Sequence, residues 1–266
     1  MTTKATKPTD IGMNRTGIAT SPIDSKRLRD ASEELTPFDG GDGTTLAAAR
    51  LVWASDADPV GTMAPPASIK GAVKTGIQML KGNKPNVFLD KLGERAAYER
   101  AGTRLWEAFL VKHAAGDVHL GGPTRDEIMS IRDDELRHYG IVRDAIVTLG
   151  ADPTVMTPCA DISGVLGMGL VQVVTDPRTT LTQCLEAMLV AELTDNDAWG
   201  LLANLADNIG QDEMANDFRE ALVNEKEHLR MVRGWLAAAL RGQAGIEPTP
   251  EVDDVGRIAD EDVARH

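Results

Sequence analysis

The chain has 266 residues, 4% of them aromatic, and a formal net charge of −13 at pH 7. This length is sufficient to bury a substantial core, and the scarcity of aromatic residues favours helices over sheets. The acidity argues against a surface that binds the phosphate backbone of nucleic acids. Two cysteines, Cys159 and Cys184, form no Cys-x-x-Cys pair, which excludes a disulfide framework and a cysteine-held metal module.

From its first residues we expect no secretory targeting signal. Residues 1–8 lack the apolar segment of a secretory signal peptide. The longest apolar stretch, residues 164–174, is shorter than the roughly 20 residues that span a bilayer. We therefore expect a cytoplasmic protein with neither a membrane nor a nucleic-acid partner.

Residues 1–86 predict an N-terminal extension. Its first 65 or so residues are rich in Thr, Ser, Pro, Gly and Asp and show no sustained period, which is typical of an irregular arm. Residues 67–81 predict a short amphipathic helix whose polar face carries Lys70, Lys74 and Lys81. We expect this basic helix to dock on the protein itself or on a symmetry-related copy rather than on lipid.

Residues 87–242 predict four long helices. The first covers about residues 87–113, and the second follows a Thr124-x-x-Glu127 capping box. The third begins near Thr179, and the fourth follows a glycine stop at Gly210 with Asp212 as its expected N-cap. A crossover of about thirty residues joins the second and third helices and contains a short apolar helix over 161–174. The acidic tail, residues 243–266, is expected to be solvated.

Two Glu-x-x-His motifs lie on the apolar faces of the second and fourth helices. They are Glu135 with His138, and Glu225 with His228. Positions i and i+3 share one face of a helix, so each pair directs a carboxylate and an imidazole to one point. Such a combination provides half of a transition-metal site.

Further glutamates interrupt the apolar faces of the other two helices. Glu192 lies on the third helix, and either Glu94 or Glu99 fits the first by periodicity alone. Register across the hairpins aligns Glu99 with Glu135, whereas Glu94 is about 7 Å away from that level. Four buried carboxylates need neutralisation, and two divalent cations would balance them.

The order of these residues resembles the ferritin-like di-iron and di-manganese carboxylate proteins. Their signature is one Glu from each of two helices and Glu-x-x-His from each of the other two. The resemblance covers residues 87–241. Two local segments, Leu92–Arg100 and Leu189–Asn196, are similar to a bacterial ferritin-like-domain group. The chain lacks the rubredoxin cysteines of typical rubrerythrins and has a longer N-terminal extension than storage ferritins.

The resemblance implies an all-α, ferritin-like four-helix bundle with two transition-metal ions. The implied metal ligands are Glu99, Glu135, His138, Glu192, Glu225 and His228. Oxygen-rich ligation with one imidazole per ion suits iron, or alternatively manganese, better than zinc. The implied function is a ferroxidase or peroxidase that reacts with O2 or H2O2 in oxidative-stress defence or metal homeostasis. The alternatives are manganese-catalase-like disproportionation of peroxide and a non-catalytic structural metal site. We also expect a homo-oligomer.

Two further residues are candidate neighbours of the metal ligands. Asp195, one turn beyond Glu192, either accepts a hydrogen bond from a ligand imidazole or binds a core water. Tyr98 is either a redox-active neighbour or an ordinary packing residue.

Overall fold

The computed structural model describes residues 22–34, 43–67, 85–116 and 120–246. These residues form seven helices and no strand, which confirms the all-α prediction for the described part of the chain. All but the first residue of the predicted basic helix over 67–81, and nearly all of the acidic tail, lie outside the described residues.

The chain divides into two compact units, residues 1–58 and 59–266. The first unit contains α1 (Pro22–Glu34) and α2 (Thr44–Asp56), which the prediction of an irregular arm did not include. The sequence of α2, TTLAAARLVWASD, contains a run of alanines, the residue with the highest helix propensity. Helix α1 carries a Lys26–Asp30 ion pair of 2.8 Å at i,i+4 spacing. Local propensity therefore prevailed over the Thr, Ser and Gly that surround both helices.

The second unit is organised by four long helices. These are α3 (Pro85–Ala115), α4 (Arg125–Thr148), α6 (Leu181–Asn208) and α7 (Asp212–Gln243). They contact one another in a ring: α3 with α4, α4 with α7, α7 with α6, and α6 with α3. The hairpin partners, α3 with α4 and α6 with α7, pack most extensively, and the contact between α4 and α7 is the smallest.

The helices begin largely where the sequence predicts. Thr124 and Glu127 form the expected capping box at α4, and Thr180 with Gln183 forms a second one at α6. Gly210 has a φ of 71°, a left-handed conformation that glycine adopts without strain. The N-cap of α7 lies one residue earlier than predicted, because Gln211 is the N-cap and Asp212 is already helical.

The interior of the second unit consists of two separate apolar clusters. One joins the end of α3 and the beginning of α6, with Trp106 and Trp235 in edge contact at 6.4 Å. The other joins the beginning of α3 and the end of α6, where the ring centroids of Trp199 and Phe218 are 5.6 Å apart. In each cluster the end of one helix meets the beginnings of its two neighbours in the ring. Neighbouring helices of the ring therefore run antiparallel. The level between the clusters is occupied by polar side chains.

Helix α5 (Pro158–Thr175) lies in the crossover and contacts α3 and α6. Its N-terminus is fixed to α3, since the Cys159 backbone N–H donates to Asp90 Oδ1 at 2.8 Å. Its 18 residues have a mean hydropathy of 1.3 with 17% of them buried, so its length and composition alone would allow it to cross a membrane. It is longer than the predicted helix over 161–174, and by length it is close to the roughly 20 residues that span a bilayer, unlike the apolar stretch 164–174 alone. Val165 and Leu166 are exposed on its outer face.

Candidate metal centre

A layer of ionisable side chains separates the two apolar clusters. Every side chain of this layer is polar or charged, yet each is at most 3% exposed. They are Arg95, Glu99, Glu135, His138, Glu192, Asp195, Glu225 and His228. Burial of so many charges is very costly unless each is paired or binds a cation. The six ligands expected from the sequence are thus brought to one place in the core.

Glu225 lies at the middle of this layer, between the two imidazoles. Its Oε1 is 2.6 Å from His138 Nδ1, and its Oε2 is 3.4 Å from His228 Nδ1. The same two nitrogens lie 3.9 Å from Glu99 Oε2 and Glu192 Oε2 respectively. Cis ligands of an octahedral ion with bonds of about 2.1 Å are roughly 3 Å apart, so these spacings suit atoms that share an ion.

The orientation of His228 is fixed from its other side. Its Nε2 is 3.1 Å from Asp134 Oδ2, which leaves Nδ1 directed at the carboxylates. A carboxylate behind a ligand imidazole is the usual way to set its tautomer and ring orientation. Asp195 was the predicted candidate for such a role, but the carboxylate in contact with His228 is that of Asp134. Asp134 immediately precedes Glu135 in the sequence, and its position beside an expected ligand could have indicated a role near the site.

Asp195 instead contacts Arg95, a residue that was not among the predicted site residues. Arg95 Nη2 is 2.7 Å from Asp195 Oδ1, and Arg95 Nε is 2.8 Å from Glu99 Oε1. The guanidinium also lies over the ring of Tyr98, 4.4 Å from its centroid. Arg95 lies one turn before Glu99 on the buried face of α3, so its spacing from Glu99 could have indicated this pairing.

The two glutamates considered on α3 have different environments. Glu99 is fully buried within the layer, whereas Glu94 is partly exposed and pairs with Lys91 at 2.6 Å. Tyr98 packs beside the layer, and its hydroxyl donates to the Ala191 carbonyl at 2.9 Å. That bond ties α3 to α6 and gives Tyr98 an ordinary structural role.

A glycine makes room for the carboxylate of Glu135. A Cβ placed on Gly102 would lie 3.1 Å from Glu135 Cδ and closer still to Oε2. The backbone at Gly102 is helical, so the glycine is needed for space and not for conformation. Gly102 lies one turn beyond Glu99, and the close approach of α4 at this point is a tertiary feature that the sequence pattern does not reveal.

Charge repulsion and burial shift the pKa values of the metal-free cluster. Burial, together with the negative charge of Glu225, raises the pKa of Glu135 and Glu192 well above the usual range. Burial would also raise the pKa of Glu225, but the two imidazoles that contact it lower the value to about 2. For His228, burial is outweighed by Asp134 and Glu225, which raise its pKa to about 10.

Many polar atoms of this layer have no hydrogen-bond partner. They include both oxygens of Glu99 and of Glu225, His138 Nδ1 and His228 Nδ1, whose close ionic contacts within the layer do not have hydrogen-bond geometry. Native interiors rarely leave such atoms unpaired, and a bound ion is one of the accepted reasons. Three overlapping groups place one ligand atom from each member within 4.8 Å of the others. They are Glu99–His138–Glu225, Glu135–Glu192–Glu225–His228, and Glu99–Glu135–Asp195–Glu225.

These residues fit metal ions in number, atom type and position. Carboxylate oxygens and imidazole nitrogens are ligands of first-row transition metals, and every residue of the cluster is buried. No known family model matches the chain, and no curated protein or solved structure matches it either. The assignment therefore depends on the geometry of the layer.

Proposed function

We propose that the second unit is a ferritin-like four-helix bundle that holds a dinuclear non-haem metal centre and reacts with O2 or peroxide. The observation that carries this proposal is the buried layer of carboxylates and imidazoles whose facing atoms lack hydrogen-bond partners. Iron is the metal we favour, and manganese is the alternative, because one imidazole per ion with several carboxylates suits both.

The charge of the layer supports two divalent ions. Five carboxylates, Glu99, Glu135, Glu192, Asp195 and Glu225, contribute −5, and the Arg95 guanidinium contributes +1. The sum, −5 + 1 = −4, equals the charge that two divalent cations neutralise. The charges of Asp195 and Arg95 cancel, so the net charge remains the −4 that four glutamates alone would give.

The arrangement of helices also supports the proposal. A Glu from each of α3 and α6 and a Glu-x-x-His from each of α4 and α7 face one level of the bundle. This is the ligand pattern of ferritin-like di-iron proteins and of designed di-iron bundles. The long crossover that contains α5 joins α4 to α6, as that fold requires.

The protein's own residues would each have a defined task. Glu225 belongs to all three ligand groups, and the two histidines fall in different groups, which supports one imidazole per ion. Asp134 holds the His228 ring, and the surrounding Trp199 and Trp106 exclude water. Bound iron or manganese would supply the electrons for reduction of O2 or peroxide.

Metal analysis of purified protein tests the centre itself. We expect close to two transition-metal ions per chain, and a large loss of metal in Glu135→Ala and in His228→Ala. Binding of a single ion, or full metal retention in both variants, would contradict a dinuclear centre.

The reaction is tested with the iron-loaded, reduced protein. On addition of O2 or H2O2 we expect ferrous iron to be consumed, with growth of near-ultraviolet absorption much faster than in Glu192→Ala. Steady release of O2 from peroxide that only manganese supports would indicate a catalase-like activity. No change with either oxidant would leave a structural metal site as the function.

A further inference from the structure

The seam between α4 and α7 is where the bundle is least closed. These two helices contact each other less than any other neighbouring pair of the ring. A groove of about 890 Å³ lies between the second half of α4 and the first half of α7. Its size is within the range of small-molecule pockets and is ample for a chain of water molecules.

The groove reaches the buried layer through His138. His138 is one of the residues that line the groove, and it is itself fully buried, so it marks the point where the groove comes nearest to the layer. Its Nδ1 faces Glu225 Oε1 at 2.6 Å, and its Nε2 has no hydrogen-bond partner. A fully buried imidazole with one unpartnered nitrogen, at the inner end of an open groove, indicates a route for a ligand that binds nitrogen and oxygen.

Acidic side chains dominate the lining of the groove. Asp144, Asp212, Glu213, Asp217 and Glu220 line it, against the single base Arg137. Arg137 is itself paired with Asp134 at 3.0 Å, which reduces its effect on the groove. A recess lined by charges of one sign raises the local concentration of the opposite ion. The groove therefore favours cations and disfavours anions, whereas neutral O2 and H2O2 gain nothing from its charge.

Gly140 lines the groove without a side chain that would narrow it. A Cβ placed on this residue would meet no atom within 4 Å. Because the Gly140 backbone is helical, a larger residue is conformationally acceptable there and adds helix propensity. The missing side chain matters for the width of the groove, two residues beyond His138.

We propose that the α4–α7 groove is the entrance by which hydrated divalent cations reach the polar layer. This inference rests on the proposed metal function. It assigns to Asp217 and Glu220 the capture of incoming ions, since Asp144 is already paired with Arg143 at 2.8 Å, and to His138 the first contact with the layer. The groove governs the rates at which ions enter and leave, and the buried ligands govern how many are held.

The test measures uptake of Co²⁺, a redox-stable divalent ion whose visible absorption reports ligation, by stopped flow. The variant Gly140→Leu narrows the groove, and Asp217→Asn/Glu220→Gln removes two of its charges. Gly234→Leu is the matched control, since it is also a helical glycine with open space around its Cβ, but it does not line the groove.

We expect Gly140→Leu to slow Co²⁺ uptake at least tenfold and to slow its removal by chelator to a similar extent. The number of ions bound and the final spectrum should match those of the wild-type protein and of Gly234→Leu. The charge variant should also slow uptake, with a weaker dependence on ionic strength. A graded effect in Gly140→Ala would support the same conclusion.

Three outcomes would overturn the entrance, and they are distinguishable. If Co²⁺ binds with two ions per chain and all variants have wild-type rates, ions enter elsewhere and the metal function stands. If Gly140→Leu changes the final spectrum or the number of ions at unchanged rates, the residue affects the ligands and not the entrance. If the wild-type protein binds no metal, both the proposed function and the entrance are wrong.

Discussion

The substitution Gly102→Ala separates the metal centre from the fold. Its new Cβ would lie 3.1 Å from Glu135 Cδ, where carbon atoms normally keep about 3.5–4.0 Å, and nearer still to the carboxylate oxygen. The obstructed group is the end of a flexible side chain, so the carboxylate moves by roughly 0.5–1 Å and the backbone does not. Metal ligands tolerate errors of only about 0.2 Å, so this shift removes Glu135 from the centre.

We therefore expect opposite effects on folding and on metal binding. Alanine in place of a helical glycine adds up to about 1 kcal/mol to the unfolding free energy of the metal-free protein. Metal affinity should fall at least tenfold, which corresponds to about 1.4 kcal/mol. Urea denaturation and competition with a chelator measure the two quantities. Gly234→Ala is the control, because its Cβ meets nothing within 4 Å, and it should leave metal affinity unchanged. Equal affinities in Gly102→Ala and the control would refute the positioning of Glu135 by this glycine.

Three other predictions concern the charges of the layer. Glu99→Ala should lose metal while Glu94→Ala should not, as measured by elemental analysis, and the reverse result would shift the register of α3 by more than a turn. Arg95→Met leaves a buried carboxylate unpaired and should lower the unfolding free energy by about 3 kcal/mol. Adding Asp195→Leu should restore part of that loss in urea denaturation, whereas additive losses would deny the pairing. Metal binding should release protons, because His228, with a pKa of about 10, is protonated at pH 7 before the ion binds. Affinity should therefore rise with pH below 10, and calorimetry in two buffers of different ionisation enthalpy should report the release; identical heats would contradict it.

The helical class and the convergence of the expected ligands followed from local patterns. Glu-x-x-His spacing places its two side chains on one face whatever the tertiary context. The Thr124–Glu127 capping box fixed the beginning of α4 in the same way. The choice of Glu99 over Glu94 needed only helix rise and loop length. Whether these side chains bind metal remains a prediction.

Other features depended on contacts that no single segment contains. The role of Arg95 is evident only when α6 brings Asp195 against it. Gly102 is an unremarkable helical glycine until α4 places Glu135 over it. Helices α1 and α2 were missed for a different reason, because their flanking Gly, Ser and Thr residues masked a favourable local propensity.

The division of the core into two apolar clusters has a consequence for how substitutions combine. Trp106 belongs to one cluster and Trp199 to the other, and the polar layer lies between them. Substitutions in clusters that share no contacts usually have additive effects on stability. We expect Trp106→Leu and Trp199→Leu to be additive in the metal-free protein, as a double-mutant cycle would show. On the proposed function, bound ions would bridge all four helices, so the same cycle in the metal-loaded protein should reveal an interaction energy. The two ends of the bundle would then be independent without metal and coupled with it.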